Sequence, residues 1–212
     1  MSAVKIKQIS DKDVDIVVEN FDIAYLNSVR RLSLSEVPVL AIDDVIILEN
    51  TSPVYDEVLA HRLGMIPLVT PVDRYSLPSE CDCNNPSGCP KCRVMIVLDA
   101  SAGESPRTVY SGELICPEDK DVKPVSDRIP IVKLAPNQKV KVEAYARMGR
   151  GKDHAKWQAA NIAVLLEAKN GKGMYELKLE TNGSYKASTL LTKSIQLLQK
   201  QIKTISEAVG EV

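Results

Sequence analysis

Aromatic side chains are scarce in this chain. One Phe and one Trp occur among 212 residues, so the interior has to be built mainly from Val, Ile and Leu. No apolar run approaches the roughly 20 residues that span a bilayer, which excludes a membrane helix within the sequence. An excess of charge of one sign is also lacking. The 27 Lys and Arg against 28 Asp and Glu leave a net charge of −1, which argues against a surface built mainly to neutralise nucleic-acid phosphates. The opening residues MSAVKIKQISDKD have no signal-peptide core, so the expected location is intracellular and cytoplasmic. Stable disulfides are rare there, and five cysteines is an odd number. A disulfide staple is therefore the weaker reading of the thiols.

Four of those five cysteines fall in one stretch, CDCNNPSGCPKC, at Cys81, Cys83, Cys89 and Cys92. The spacing is C-x-C-x5-C-x2-C. Cys89-Pro90-Lys91-Cys92 is a knuckle that turns two thiolates toward one ion, and the Asn-Asn-Pro-Ser-Gly turn lets Cys81 and Cys83 supply a second pair. Four thiolates complete a zinc tetrahedron and leave no open position, which makes such a site structural and not catalytic. Lys91 and Arg93 offset part of the negative charge. Two alternatives compete. A redox CxxC works best at a helix N-terminus after a βαβ strand, whereas this one lies in a Pro-rich loop leading into a strand. An iron–sulfur cluster also takes four cysteines, but the C-x2-C-x2-C run is missing. Cys116 stands apart and reads as an ordinary strand residue.

The chain around this loop reads as α+β, with few helices and many antiparallel-type strands. DVDIVVEN (13–20) alternates as a half-buried strand. A helix follows from Asp22, its expected N-cap, and stops at Pro38, with Leu26, Val29 and Leu32 on one face and Arg30 and Arg31 directed elsewhere. VLAIDDVIILEN (39–50) reads as a strand or strand pair. Ser52-Pro53 signals a second helix start, ending at Gly64. From 93 to 148 the pattern is β-like, and NIAVLLEA and GMYELKLE add two strands around the turn KNGKG. A final helix is expected from about Lys186 to Val209. Its apolar residues Leu191, Ile195, Leu198, Ile202, Ile205 and Val209 form a heptad-like seam, widened by Leu190 and Leu197.

LNSVRRLSLSEVPVLAIDDVIILENTSPVYDEVLAHRLGMIPL, CDCNNPSGCPKC and GRGKDHAKWQAANIAV together resemble the D subunits of archaeal RNA polymerases. The same stretches are similar to the third-largest subunit of eukaryotic RNA polymerase II and, more distantly, to the N-terminal domain of the bacterial α subunit. The resemblance implies a dimerisation domain made from both chain ends, 1–47 and 155–212. It is interrupted by a mostly β insert domain, 48–154, that carries the cysteine loop. It also implies an assembly role in DNA-directed RNA polymerase, a nucleotidyltransferase, with no catalytic residue in this chain. The implied partners are a small L-like subunit, the second-largest catalytic subunit and small subunits N and P. DNA would be met only through the complex, and no membrane is involved. Some archaeal D subunits carry an extra cysteine-bearing insertion for an iron–sulfur cluster. NIAVLLEAKNGKGMYELKLE crosses that point without a cysteine, so no such cluster is expected.

Each candidate has a plainer alternative. The seam could be core packing, the usual fate of an apolar helical stripe. Its length and straightness favour a partner helix, which assigns Leu191, Ile195, Leu198, Ile202, Ile205 and Val209 to pairing. Arg30 and Arg31 could be a solvated face. By the resemblance they dock the second-largest subunit, and the planar guanidinium suits interfacial carboxylates. The loop Gly149–Trp157 contains His154 but no nucleophile beside it, so it reads as a contact or junction element anchored by Trp157. His61 and the pair Asp43-Asp44 read as structural. The competing function class is an autonomous zinc-stabilised module, or an oxidoreductase using Cys89 and Cys92.

Overall fold

The computed structural model describes residues 3–83, 85, 88–168 and 173–210. In chain order they form β1 (Ala3–Ile9), β2 (Asp13–Glu19), α1 (Ile23–Ser35), β3 (Val39–Asn50), α2 (Asp56–Gly64), β4 (Arg93–Ser101) and β5 (Arg107–Tyr110). β6 (Pro130–Leu134), β7 (Lys139–Gly149), β8 (Ala160–Glu167), β9 (Met174–Thr181) and α3 (Ala187–Gly210) follow. The class is α+β, as the pattern of elements implies. None of the described helices is long and apolar enough to cross a membrane. The chain divides into two compact units, Met1–Pro38 with Arg150–Val212, and Val39–Gly149.

In the discontinuous unit, four antiparallel strands run in the order β1-β2-β9-β8. The period-2 alternation of β2 and β9 brings Ile16 opposite Leu177 and Val14 opposite Leu179. On β8, Leu165 lies opposite Leu177 and Ala163 opposite Leu179. This apolar face receives Val29 of α1 and Leu191 and Leu198 of α3. Helix α1 begins where Asp22 accepts a hydrogen bond from the Ala24 N–H at 2.8 Å, the capping role its type predicts. Leu26, Val29 and Leu32 are buried at its 3-4 spacing.

β1 adds a strand that the signal-peptide reading of the first residues passes over. Its register with β2 pairs Val4 with Val18 and Ile6 with Ile16. All seven of its residues are exposed, since it lies at the edge of the sheet and nothing among the described residues covers either of its faces.

The continuous unit holds the three-stranded sheet β3-β7-β4 and the hairpin β5-β6. β3 is one strand, not a pair, kinked by register shifts between Ile42 and Asp44 and between Ile47 and Glu49. Its core gathers Leu40, Ile42, Leu59, Leu63, Leu68, Ile96, Leu98, Ile131 and Leu134, each at most 2% exposed. Burying each such side chain stabilises the fold by about 1.5–3 kcal/mol.

Two boundaries differ from expectation. Because β3 pairs with β7 from Val39 onward, residues 39–47 join the β-rich unit, whose limits are Val39 and Gly149 instead of 48 and 154. Helix α2 starts at Asp56, not after Ser52. The Ser52 hydroxyl instead accepts from the Val54 N–H at 3.2 Å, closing a local turn before the helix.

Candidate metal centre

The cysteine loop leaves the short 3₁₀ turn Pro78–Glu80 and ends where β4 begins. Gly88 has φ +78°, a left-handed conformation that a side chain would strain. A Cβ there would also stand 3.0 Å from the Arg93 Cβ. Behind this turn the knuckle closes on itself. The N–H groups of Cys92 and Arg93 both donate to the Cys89 carbonyl at 2.9 Å. The Cys89 N–H donates to Cys92 Sγ at 3.2 Å, and the Lys91 N–H to Cys89 Sγ at 3.4 Å. The Ser76 N–H, donating to the Lys91 carbonyl at 2.9 Å, ties the knuckle to the preceding segment.

The sulfurs of Cys81, Cys83, Cys89 and Cys92 all lie within 4.8 Å of one another. Cys81 and Cys89 are 3.7 Å apart, Cys89 and Cys92 3.8 Å, and Cys83 and Cys92 3.9 Å. A tetrahedron with metal–sulfur bonds of about 2.3 Å has an edge of about 3.8 Å, so the donor set fits a single four-coordinate ion. A cluster would need its thiolates spread around several irons and sulfides, and a redox pair would need only two sulfurs.

The thiols ionise unequally. The Lys91 N–H, ahead of the other thiols, stabilises the Cys89 thiolate and draws its pKa down to about 7. The backbone of Cys83 favours the Cys81 thiolate, but contacts with the other three thiols and burial outweigh it and push Cys81 up to about 12. Burial chiefly raises Cys92. Four thiolates this close are compatible only when a cation sits among them.

Arg93 connects the loop to the sheet. Its guanidinium lies 3.7 Å from the centre of the Tyr145 ring on β7. Asp43, part of the acidic pair in the sequence, is ion-paired with Arg147 and takes no place in the thiol cluster. Cys116 is buried and also separate from the cluster. It follows an isolated bridge at Ile115 and belongs to no named strand. Nearby, Arg74 grips Asp119 through two 2.7 Å contacts, and the Tyr75 hydroxyl donates to the same carboxylate at 2.8 Å.

The other predicted residues are in the discontinuous unit, and the structure separates them into two kinds. On α1, Arg31 is exposed, but Arg30 is half-buried. The Arg30 Nε donates to Asn27 at 2.9 Å and a terminal nitrogen reaches the Ala163 carbonyl at 3.4 Å. Arg30 therefore does not point away from its own fold, as the helix pattern implies: it pins α1 to β8. On α3 the six-residue seam is divided in the same way. Leu191 and Leu198 pack on the unit's own core. Ile195, Ile202, Ile205 and Val209 are 41%, 46%, 64% and 70% exposed. Sequence reasoning missed other exposed apolar side chains of this unit, namely Val4 and Ile6 on β1 and Ile162, Val164 and Leu166 on β8. Their alternation was legible, but not that nothing among the described residues covers them.

Residues 45–168 match the family model described as the RNA polymerase Rpb3/RpoA insert domain. The chain is 48% identical over 158 residues to DNA-directed RNA polymerase subunit Rpo3 of Methanosphaera stadtmanae, covering 74% of this chain and 57% of that protein. It is 48% identical over 161 residues to Rpo3 of Pyrobaculum neutrophilum, covering 76% and 60%. Against Rpo3 of Pyrococcus horikoshii it is 45% identical over 159 residues, covering 74% and 57%. The chain thus spans less than two thirds of the length of these relatives. With more than half of its residues inside the family model and the four-thiol loop within that span, the chain belongs to the RNA polymerase Rpb3/RpoA insert-domain family.

Proposed function

We propose that this protein is a D-type, non-catalytic assembly subunit of an archaeal DNA-directed RNA polymerase, working in the cytoplasm. The discontinuous unit is its dimerisation domain, which pairs with a small L-like subunit. The resulting heterodimer is the platform that docks the second-largest catalytic subunit, with small subunits N and P nearby. The continuous unit is the insert domain, and Cys81, Cys83, Cys89 and Cys92 hold one structural zinc ion in it. Nucleotidyl transfer belongs to the largest subunits, and contact with DNA is indirect.

The observation that carries this reading is the exposed half of α3. Ile195, Ile202, Ile205 and Val209 keep the 7-3-4 spacing of a heptad seam on a helix of 24 residues, with no part of the described chain covering them. A stripe of that kind on a soluble protein marks an interface. Arg31, exposed on α1, supplies the cation for docking the second-largest subunit, while Arg30 supports the helix from beneath. Coexpression with an L-like subunit followed by size-exclusion chromatography tests the reading. A stable 1:1 complex is expected, and a chain that stays monomeric and well behaved beside every candidate partner would refute it.

A further inference from the structure

The motif GRGKDHAKW has no place in the metal centre or in the exposed seam, yet its contacts converge on one point, the C-terminal end of α1. A helix leaves its last carbonyls without intrahelical donors, and α1 has no basic residue in its last turn to answer them. It also carries Glu36 at its C-cap, an acid at the negative end of the helix dipole. The distant loop answers both. The Lys152 N–H donates to the Ser35 carbonyl at 3.0 Å. Lys152 Nζ lies 3.0 Å and Arg150 Nε 3.8 Å from the Glu36 carboxylate. Gly151 packs so closely that a Cβ would stand 2.2 Å from the Leu34 carbonyl oxygen, a backbone atom with no freedom to yield. The rest of the motif stiffens the loop. His154 Nδ1 accepts from the Lys156 N–H at 3.0 Å, Lys156 Nζ stands 4.4 Å over the Trp157 ring, and Trp157 is 9% exposed.

We infer that the loop Arg150–Trp157 is a positioning latch. It supplies the positive charge and the Ser35 carbonyl donor that the last turn of α1 lacks, and so holds the end of the helix, with Arg31, in the orientation that captures the second-largest polymerase subunit. Gly151, Lys152 and Arg150 are positioning residues that act through α1 and do not themselves touch the partner. The inference rests on the docking role of α1 proposed above.

The test uses three variants of the chain. Gly151→Ala removes the close approach. Lys152→Glu reverses one arm of the ion pair, and Lys152→Glu with Glu36→Lys restores it in the opposite sense. Amide hydrogen exchange is read at Glu36 and Val37, whose N–H groups both donate to the Leu32 carbonyl at the helix end. Capture of the second-largest subunit is read in parallel. Both single changes are expected to speed exchange at these two amides and to weaken capture, each by about tenfold, and the reversed pair is expected to recover both. Unchanged exchange would overturn the latch. So would faster exchange with undiminished capture, which would leave the docking role standing. Should Arg31→Ala leave capture intact while Gly151→Ala still loosens the helix end, the docking reading fails and takes this inference with it.

Discussion

The Arg93 guanidinium lies 3.7 Å from the centre of the Tyr145 ring, joining the first residue of β4, directly after Cys92, to the central strand β7. A stacked pair of this kind contributes about 0.5–2 kcal/mol. Tyr145→Leu keeps the apolar bulk but removes the π-face, so a loss of about 1 kcal/mol in the free energy of unfolding is expected from urea titration. Metal should leave the variant faster when a chelator is added, because the loop is less firmly held. Equal release rates in the two proteins would show that the stack is unrelated to the site.

On the proposed zinc assignment, metal analysis of the purified chain should return one zinc per molecule; the four sulfurs lie within 4.8 Å of one another, three of the pairs at 3.7–3.9 Å, as one four-coordinate ion needs. Cys89→Ser replaces the thiolate that the Lys91 N–H supports with a neutral hydroxyl, and metal content is expected to fall to near zero. The β1-β2-β9-β8 unit should keep its exchange protection in that variant. Iron with a visible chromophore in the native protein would contradict the assignment.

Arg30 and Arg31 should behave differently on replacement. Arg31→Ala, at an exposed position, is expected to change stability by less than about 0.5 kcal/mol while weakening capture of the second-largest subunit. Arg30→Ala deletes the contacts with Asn27 and Ala163 and should cost about 1–2 kcal/mol by itself. Thermal melts of the free chain beside pull-downs separate the two effects. Equal melts for both variants would mean that Arg30 does not pin α1.

The two halves of the α3 stripe also make opposite predictions. Ile195→Asp with Ile202→Asp changes side chains 41% and 46% exposed, so the free chain should stay folded. Pairing with an L-like subunit should be lost, since stranding an unpaired charge in an interface costs about 3–5 kcal/mol. Leu198→Asp sets a charge against the unit's own core, on which partly buried Leu198 packs, and should destabilise the free chain instead. Retention of the heterodimer by the isoleucine double variant would place the pairing surface elsewhere.

Acid should weaken the discontinuous unit through one carboxylate in particular. Lys178, followed by Lys7, holds Glu176 at a pKa of about 2, below its ordinary 4.5. The folded value is depressed, so the stabilising contribution is complete above the ordinary value and is lost as pH falls from about 4.5 toward 2. Glu176→Gln should flatten this part of the stability–pH curve. A curve with the same slope in both proteins would assign the acid sensitivity to other groups.

Several features were determined by the sequence alone because their causes are local. The thiol cluster follows from spacing and turn residues: the Cys-Pro-Lys-Cys knuckle aims Cys89 and Cys92 at one point, and the turn residues before it, with Gly88 at φ +78°, bring Cys81 and Cys83 back to them. Helix α1 follows from Asp22, the 3-4 spacing of Leu26, Val29 and Leu32, and the stop at Pro38. The length of α3 follows from its unbroken period. Only the tertiary structure decided which of these groups face inward. A period states that Leu191, Ile195, Leu198 and Ile202 share a stripe, but not where the sheet beneath it ends, and that edge leaves Leu198 partly buried against the core while Ile202 is 46% exposed. Arg30 and Arg31 are equivalent in sequence, and a rotation of about 100° per residue puts one against β8 and the other outside. The unit boundary moved to Val39 for a similar reason: strand pairing with a segment a hundred residues away is a long-range event, and no local residue announces it.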